Sequence, residues 1–269
     1  DAAGIPVFDE TEVTQIAPGA DDVIASLSGP GRPAATLRAR LAACAEGGLR
    51  ADDGNVVEHD YGQHALIAMV HATGAARGTA FERFTPAGPV ALLPCGEAYA
   101  LVHVASPQQA DTLLALDDSA YLARLQAHLG TRINLTAVSE RLRYPLGLRV
   151  RRSPVGARTV WLGNAAQTLH PVAGQGFNLA LRDVWALADT LLRHPGDPGA
   201  PATLTAYARS RSADRFGTVR FTDTLVRLFS NDLPPLRHLR GAGLFALDML
   251  PPLRHFVAKR MMFGARAWP

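Results

Sequence analysis

The chain has 269 residues, of which 48% are hydrophobic and 19% charged, and its formal net charge is +3. This composition predicts one large or two small globular domains and excludes a disordered tail or a collagen-like chain. The two cysteines lie in different segments without a CxxC spacing, which indicates neither a disulfide framework nor a metal site and is typical of a reducing cytoplasm. No stretch is apolar enough for a signal peptide or a membrane span.

The positive charge is concentrated in the C-terminal segment. Residues 201–269 carry eleven Lys or Arg against four Asp or Glu, so the rest of the chain is net acidic. The arginines are interleaved with apolar residues at helical spacing and match no nucleic-acid motif, so no nucleic-acid partner is expected. Two interpretations remain open: a pair of packed helices with a solvated arginine face, or a face that docks on anionic membrane lipid.

Alternation of apolar and polar residues predicts strands in the first half of the chain. Residues 11–16, 21–27 and 36–44 are separated by Pro-Gly and Gly-Pro-Gly turns, as in a short β-meander. Four further candidates are expected to form an antiparallel sheet: Leu66 to His71, Thr79 to Thr85, Val90 to Leu93 and Tyr99 to Val104. Asp117 can cap a helix that runs to about Leu129.

A short strand, a glycine-containing loop and a helix follow one another between residues 159 and 193. Thr159 to Gly163 reads as a buried strand, and a helix is predicted from about Gly176. Backbone N–H groups at a helix start attract an anionic or carbonyl-rich ligand, and Gly174 and Gly176 would let it approach closely. A tight structural turn would also use glycine, so both interpretations stay open. The apolar residues of the helix share one face: Phe177, Leu181, Val184, Ala188 and Leu191.

This stretch resembles the second flavin-binding motif of the FAD-dependent aromatic hydroxylases of ubiquinone biosynthesis. The matching residues are Gly163 to Pro171 (GNAAQTLHP) and Gly174 to Asp183 (GQGFNLALRD). Ala80 to Thr85, Gly88-Pro89 and Leu92 to Pro94 are similar to the same family's substrate-domain sheet. The resemblance covers residues 1 to about 260. It implies an α/β fold in which an α+β substrate sheet is inserted into a discontinuous FAD-binding domain.

The resemblance also implies how the chain is divided. The expected segments are a remnant of the FAD-binding domain with the β-meander (1–48), a substrate domain with an antiparallel sheet (49–150), the return to the FAD-binding domain (151–193) and C-terminal helices (194–269). The family's first strand, GxGxxG loop and helix have no counterpart here, so a Rossmann half of on the order of 100 residues is expected to be missing upstream. Its absence would leave Val160 to Leu162 without strand partners and the Phe177 face of the helix uncovered.

The resemblance assigns cofactor contacts to most of the motif. Asn164 would face the FAD ribose and pyrophosphate. Pro171 and Gly174 to Asn178 would lie along the isoalloxazine edge, where helix N–H groups stabilise the reduced flavin. Glu46-Gly47 is similar to the family's Asp-Gly element near FAD and NADPH. The cofactor-binding candidates are Gly163, Asn164, Pro171, Gly174, Gln175, Gly176, Phe177, Asn178, Glu46 and Gly47.

The chemistry that the resemblance implies belongs to the cofactor. NAD(P)H would reduce FAD, O2 would form a flavin C4a-hydroperoxide, and one oxygen atom would pass to a polyprenylated phenol. No catalytic side chain follows from the sequence, although His170 could contact the flavin side or be structural. Arg83 could meet a phenolate or a cofactor phosphate, or pair with Glu82 or Glu97 on the sheet.

The favoured interpretation is a truncated FAD-dependent NAD(P)H aromatic monooxygenase, cytoplasmic or peripheral on the inner membrane. Two alternatives remain open. One is a non-catalytic remnant that serves as an assembly surface for a ubiquinone-biosynthesis complex. The other is a different aromatic-ring flavin hydroxylase, or a flavin-dependent prenyl reductase, on the same fold.

Overall fold

The structure is a computed structural model that describes residues 4–30, 32–49, 54–74, 78–230 and 234–264. It divides into two units. Unit 1 comprises Asp1–Val56, Val150–Thr168 and Phe177–Arg215, and unit 2 comprises Val57–Arg149, Leu169–Gly176 and Phe216–Pro269. The mixture of strands and helices confirms the α/β fold class. The functional roles expected for the four segments stay predictions.

The elements follow one another in chain order. The strands are β1 (Glu12–Pro18), β2 (Val23–Gly29), β3 (Arg32–Ala39), β4 (Ala42–Cys44), β5 (Val56–Thr73), β6 (Phe81–Thr85), β7 (Gly88–Cys95), β8 (Ala98–Ala105), β9 (Asn134–Val138), β10 (Leu142–Arg151), β11 (Val155–Gly156), β12 (Thr159–Trp161) and β13 (Gln167–Thr168). The α-helices are α1 (Pro107–Leu114), α2 (Asp118–Leu129), α3 (Gln175–Arg193), α4 (Pro201–Phe229), α5 (Pro234–Met249) and α6 (Pro251–Phe263). Short 3₁₀ turns cover Gly163–Ala165 and Pro171–Ala173.

Unit 1 begins with the expected meander. β1, β2 and β3 pair antiparallel in that order, as the glycine and proline turns between them predict. The predicted third strand, 36–44, is in fact two strands. β3 ends at Ala39, and β4 leaves the meander to join a second sheet.

This second sheet of unit 1 consists of β11, β12 and β4. β12 runs antiparallel to β11 and parallel to β4, with Trp161 opposite Cys44, and the Leu162 N–H donates to the Cys44 carbonyl. The expectation that Val160 to Leu162 lack strand partners is therefore wrong, because β4 supplies them. The core beside this sheet consists of Val160, Leu162, Ala186, Leu187, Leu204 and Tyr207.

Helix α3 has one buried and one exposed face. Leu179 and Ala186 are buried, whereas Phe177 is 72% and Trp185 is 71% exposed. Leu181, Val184 and Ala188 are exposed on the same side as Phe177. The expectation that the Phe177 face is uncovered is confirmed for this chain.

Unit 2 contains an antiparallel sheet with the strand order β10-β5-β8-β7-β6, and β9 pairs with one end of β5. All four predicted strands are present, and β5 is much longer than its predicted part. Helix α1 packs on β8, and α2 packs on β6 and β9. The core includes Leu66, Val70, Val90, Leu92, Leu101, Tyr121 and Leu125.

The C-terminal segment forms three helices rather than a pair. Helix α4 has 29 residues, and α5 and α6 follow it. Side chains of α6 are mostly exposed, and none is buried. Within the described residues, no helix combines the length and the apolar character needed to cross a membrane.

Candidate functional site

Two of the predicted flavin elements follow adjacent parallel strands of unit 1. Glu46-Gly47 begins two residues after Cys44, the end of β4, and Gly163-Asn164 begins two residues after Trp161, the end of β12. Because Cys44 and Trp161 are register partners, both elements leave the sheet at the same edge. Open α/β sheets bind ligands beyond the carboxyl ends of parallel strands. The sheet thus brings Glu46-Gly47 and Gly163-Asn164 to one place.

The turn after β12 exposes one residue and buries the others. Gly163 has a φ of +55°, and a Cβ there would lie 3.0 Å from the Cβ of Ala180 on α3, so both backbone and packing require glycine. Ala165 and Ala166 are buried, whereas Asn164 is exposed. Asn164 is therefore available to a ligand at this sheet edge.

Two glycines lie at the start of α3, and the structure explains only one of them. Gly174 has a φ of +58°, and its N–H donates to the Pro171 carbonyl, so it closes the 3₁₀ turn. Gly176 has no left-handed φ, and a Cβ added there would meet no atom within 4 Å. Glycine inside a helix costs about 1 kcal/mol relative to alanine, and the part of the chain that the structure describes gives no reason for that cost. Close approach of a ligand to the helix start would be such a reason.

His170 presents a buried donor to this turn. Its Nδ1 accepts the Val172 N–H at 3.1 Å, so the neutral ring carries its hydrogen on Nε2. The residue is 1% exposed, and Nε2 meets no hydrogen-bond partner among the described residues. Burial lowers the pKa of His170 to about 4, which keeps the ring neutral near pH 7. An acceptor atom of a ligand would satisfy this N–H.

Tyr61, on β5 of unit 2, packs edge-on against His170 with ring centroids 5.4 Å apart. Its hydroxyl donates to Asp223 Oδ1 of α4 at 3.0 Å, and Asp223 also accepts from Arg227. Burial and the neighbouring Asp223 raise the pKa of Tyr61, so the phenol stays protonated. His170 thus also has a structural role, because it packs on a tyrosine that is itself held in place.

The remaining candidates differ in exposure. Pro171 and Phe177 are exposed, Asn178 is half-buried and Gln175 is buried. Arg83 is exposed on β6 and lines a cleft of about 320 Å³ with Phe81, Glu82 and residues 129–132. None of the flavin candidates lines this cleft, and the contact of Arg83 with substrate stays a prediction.

Sequence comparison defines the class of protein. The profile of the FAD binding domain matches residues 1–222. The chain therefore belongs to the FAD-binding-domain family.

Among the curated proteins that the chain is similar to are hydroxylases named for ubiquinone biosynthesis. Ubiquinone hydroxylase UbiL of Rhodospirillum rubrum is 37% identical over 243 residues, which are 87% of this chain and 57% of that protein. The 3-demethoxyubiquinol 3-hydroxylase of Escherichia coli is 33% identical over 74% of this chain and 52% of that protein. The chain spans about half the length of these relatives.

Solved structures show the same fold at low sequence identity. OxyS anhydrotetracycline hydroxylase from Streptomyces rimosus superposes with a TM-score of 0.72 at 20% identity. The match covers 97% of this chain and 53% of the hydroxylase chain. The p-nitrophenol 4-monooxygenase PnpA from Pseudomonas putida superposes with a TM-score of 0.72 at 18% identity. The match covers 95% of this chain and 67% of the monooxygenase chain.

FAD, the cofactor of this family, fits the residues present on two observations. The backbone at Gly176 is open where the protein itself does not require glycine. The buried Nε2–H of His170, four residues before Gly174, needs an acceptor. Flavin carbonyl oxygens and phosphate oxygens are acceptors of the kind that both features suit.

Proposed function

We propose that the chain is part of an FAD-dependent monooxygenase that hydroxylates a polyprenylated phenol in ubiquinone biosynthesis, with NAD(P)H and O2 as co-substrates. The observation that carries this proposal is the parallel β4–β12 pair, whose carboxyl edge holds Glu46-Gly47 and Gly163-Asn164 together. The names of the curated relatives support the pathway. Because the chain spans about half of their length, activity and substrate are proposed for the whole protein.

The residues of the chain would bind and orient the cofactor. Asn164 would hydrogen-bond the ribose and pyrophosphate, with Gly163 shaping the turn that presents it and Glu46-Gly47 beside them. Gly174 to Asn178 would lie along the flavin ring, where the N–H groups in the first turn of α3 would stabilise negative charge, and His170 would donate from Nε2. Bound FAD supplies the redox chemistry, and the protein supplies binding, orientation and exclusion of water.

Flavin binding is the first test. FAD is titrated, by flavin fluorescence, into the 269-residue chain and into a longer form that carries a GxGxxG segment upstream. Saturable binding by the longer form that weakens in Asn164→Ala supports the proposal. Absence of binding by both forms, or binding indifferent to Asn164, contradicts it.

Hydroxylation is the second test. The longer form is incubated with NAD(P)H, ¹⁸O2 and a short-chain polyprenyl phenol, and the product is analysed by mass spectrometry. One ¹⁸O atom on the ring is expected, with NAD(P)H oxidation coupled to product. Oxidation of NAD(P)H without product, or preference for a phenol that lacks the prenyl chain, contradicts the substrate assignment.

We also propose a peripheral contact of α5 and α6 with an anionic bilayer surface. Arg254 and Lys259 are exposed, and Asp248 is the single acidic residue between positions 240 and 264. Apolar side chains beside cations bind anionic interfaces. The exposed apolar side chains are Leu244, Phe245, Met249, Leu250, Leu253, Phe256, Met262 and Phe263.

Vesicle sedimentation tests this contact. Binding to phosphatidylglycerol vesicles is expected to exceed binding to phosphatidylcholine vesicles and to fall with salt. Replacing both Arg254 and Lys259 by Glu should reduce it several-fold, whereas Arg193→Glu, an exposed arginine of α3, serves as the matched control. Equal binding by all three proteins contradicts the proposal.

Membership of a ubiquinone-biosynthesis complex is supported by one observation, the exposed apolar face of α3 around Phe177 and Trp185. It also favours the alternative of a non-catalytic assembly surface. Co-sedimentation with purified ubiquinone-biosynthesis enzymes of the same organism tests complex membership and the assembly surface. The unsubstituted chain should associate with them, and Trp185→Gln should lose that association. No association of the unsubstituted chain contradicts complex membership. FAD binding without association would be consistent with the FAD-dependent enzyme and would exclude the alternative of a non-catalytic assembly surface.

A further inference from the structure

A cluster of buried charges joins α3 to α4 within unit 1. Asp183 is 2%, Arg211 4% and Asp214 5% exposed. Arg211 donates from Nε to Asp183 Oδ1 and from Nη1 to Asp214 Oδ2, both at 2.8 Å. Arg182 donates from Nε to Asp214 Oδ2 at 2.8 Å. The two helices are therefore connected by ion pairs shielded from water.

The same cluster extends into the turn that exposes Asn164. Asp183 Oδ2 accepts the Gly163 N–H at 3.2 Å and the Gln167 side-chain amide at 2.8 Å. Arg215 donates from Nε to Gln167 Oε1 at 2.6 Å and from Nη2 to the Ala166 carbonyl at 3.1 Å. The turn is thus anchored at its first residue and at its last two. Between these anchors, Asn164 is the one exposed residue.

Stability alone does not explain why these positions are charged. Removing ions from water costs several kcal/mol for each ion, and apolar residues of similar volume are often as stable as a buried ion pair. Arg211 Nη2 is also buried without a partner among the described residues, which adds to that cost. An apolar side chain at position 183, however, could not accept the Gly163 N–H and the Gln167 amide.

We propose that Asp183, oriented by Arg211, is a positioning residue that holds Gly163–Gln167 in the one conformation that presents Asn164 to the FAD ribose and pyrophosphate. The inference rests on the proposed flavin role of Asn164. Asp183 acts through the Gly163 N–H and through Gln167 and does not itself touch the cofactor. Asparagine is not equivalent, because its NH2 group would face one of the donors that the carboxylate accepts.

The test compares three variants. The double variant Asp183→Leu/Arg211→Met replaces the ion pair by apolar side chains, Gln167→Met removes the loop partner and keeps the charges, and Asp214→Asn is the matched control within the cluster. Amide hydrogen exchange of Gly163 is measured by NMR relative to Leu162, whose N–H donates to Cys44 in the adjacent sheet. FAD affinity is measured in the form that binds it.

The double variant should keep its melting temperature within a few degrees. The ratio of the Gly163 to the Leu162 amide exchange rate should rise at least tenfold, and FAD should bind at least tenfold more weakly. Gln167→Met should shift FAD affinity in the same direction by about threefold. Asp214→Asn should lower the melting temperature without changing the Gly163-to-Leu162 ratio.

An unchanged exchange ratio in the double variant would overturn the inference, and so would faster exchange with unaltered FAD affinity. If the double variant does not fold, Gln167→Met decides by its FAD affinity, and unaltered affinity would then overturn the inference. Failure of the unsubstituted protein to bind FAD would instead refute the proposed function, and the two failures are therefore distinguishable.

Discussion

At the scale of single residues, alanine at Gly163 should affect mainly stability, whereas alanine at Gly176 should affect mainly ligand binding. Gly163→Ala should lower the free energy of unfolding by about 1 to 2 kcal/mol, because φ is +55° and the new Cβ would crowd Ala180. Gly176→Ala should leave it unchanged or raise it by about 1 kcal/mol, because it gains helix propensity without a clash. FAD affinity should nevertheless fall in Gly176→Ala. Urea unfolding and FAD titration measure both effects, and a Gly176→Ala protein with unaltered FAD affinity would contradict this role.

Buried histidines predict how stability depends on pH. Burial lowers the pKa of His170 to about 4, and burial, with His128 and Arg124 nearby, lowers that of His103 to about 4. Between pH 6.5 and 4 the unfolded chain binds protons that the folded chain does not, so the free energy of unfolding should decrease as the pH falls through this window. Each histidine should contribute on the order of 1–3 kcal/mol.

Unfolding in urea from pH 7 to pH 4 tests this prediction. His170→Gln and His103→Gln should each flatten the decline relative to the unsubstituted protein. Equal slopes in all three proteins would show that these rings are not the source of the acid sensitivity.

At the scale of elements, local signals predicted what depends on local residues. Asp117 accepts the Ala120 N–H as the expected cap of α2, and the turns of both antiparallel sheets lie where glycine and proline indicate. Helix α1 was missed although its signal is present, since Ser106 and Gln109 form a capping box with proline at the first turn. The pairing of β4 with β12 has no local signal, because its two partners are far apart in sequence.

The candidate site was predicted in the same uneven way. Its glycines and Asn164 follow from the motif, but the buried ion cluster does not, because Asp183, Arg211 and Asp214 are residue types that normally lie at the surface. The i, i+3 spacing of Arg211 and Asp214 is compatible with an exposed helical pair. Only the packing of α3 on α4 shows that the pair is buried.

Arg158 connects separate elements of unit 1 and gives a sharp test of packing. It has a φ of +50°, donates to the Ala20 and Arg40 carbonyls and forms a bidentate ion pair with Asp197. A Cβ on the adjacent Gly199 would lie 2.0 Å from the Arg40 oxygen and 2.6 Å from Arg158 Nη1.

Gly199→Ala should therefore destabilise the chain by at least the roughly 1–3 kcal/mol typical of overpacking. Gly196→Ala, in the same connection, is the matched control, because its Cβ would meet no atom within 4 Å. Thermal melts measure both. Similar melting temperatures for the two variants would mean that the Arg158 connection adapts easily.

At the scale of the whole molecule, the exposed face of α3 predicts self-association. Trp185 is 71% and Leu192 is 82% exposed, and exposed apolar residues on one helix face promote association. The double variant Trp185→Gln/Leu192→Gln should remain monomeric at concentrations where the unsubstituted chain associates, with little change in melting temperature. Sedimentation velocity over a concentration series measures this. A chain that is monomeric without the substitutions would contradict the prediction.

The segmentation of the two units has a consequence for synthesis on the ribosome. The core of unit 2 comes from one uninterrupted stretch, from Leu66 to Leu135. In unit 1, by contrast, contacts join distant positions, since Arg158 must reach the Ala20 carbonyl, 138 positions earlier. Contacts between such distant positions form slowly, and nascent chains fold in the order in which complete units emerge. The meander can close on its own, but β4 and the Ala20 carbonyl find their partners only after residues 158–161 have been made, and until then they depend on whatever protects an unfinished chain.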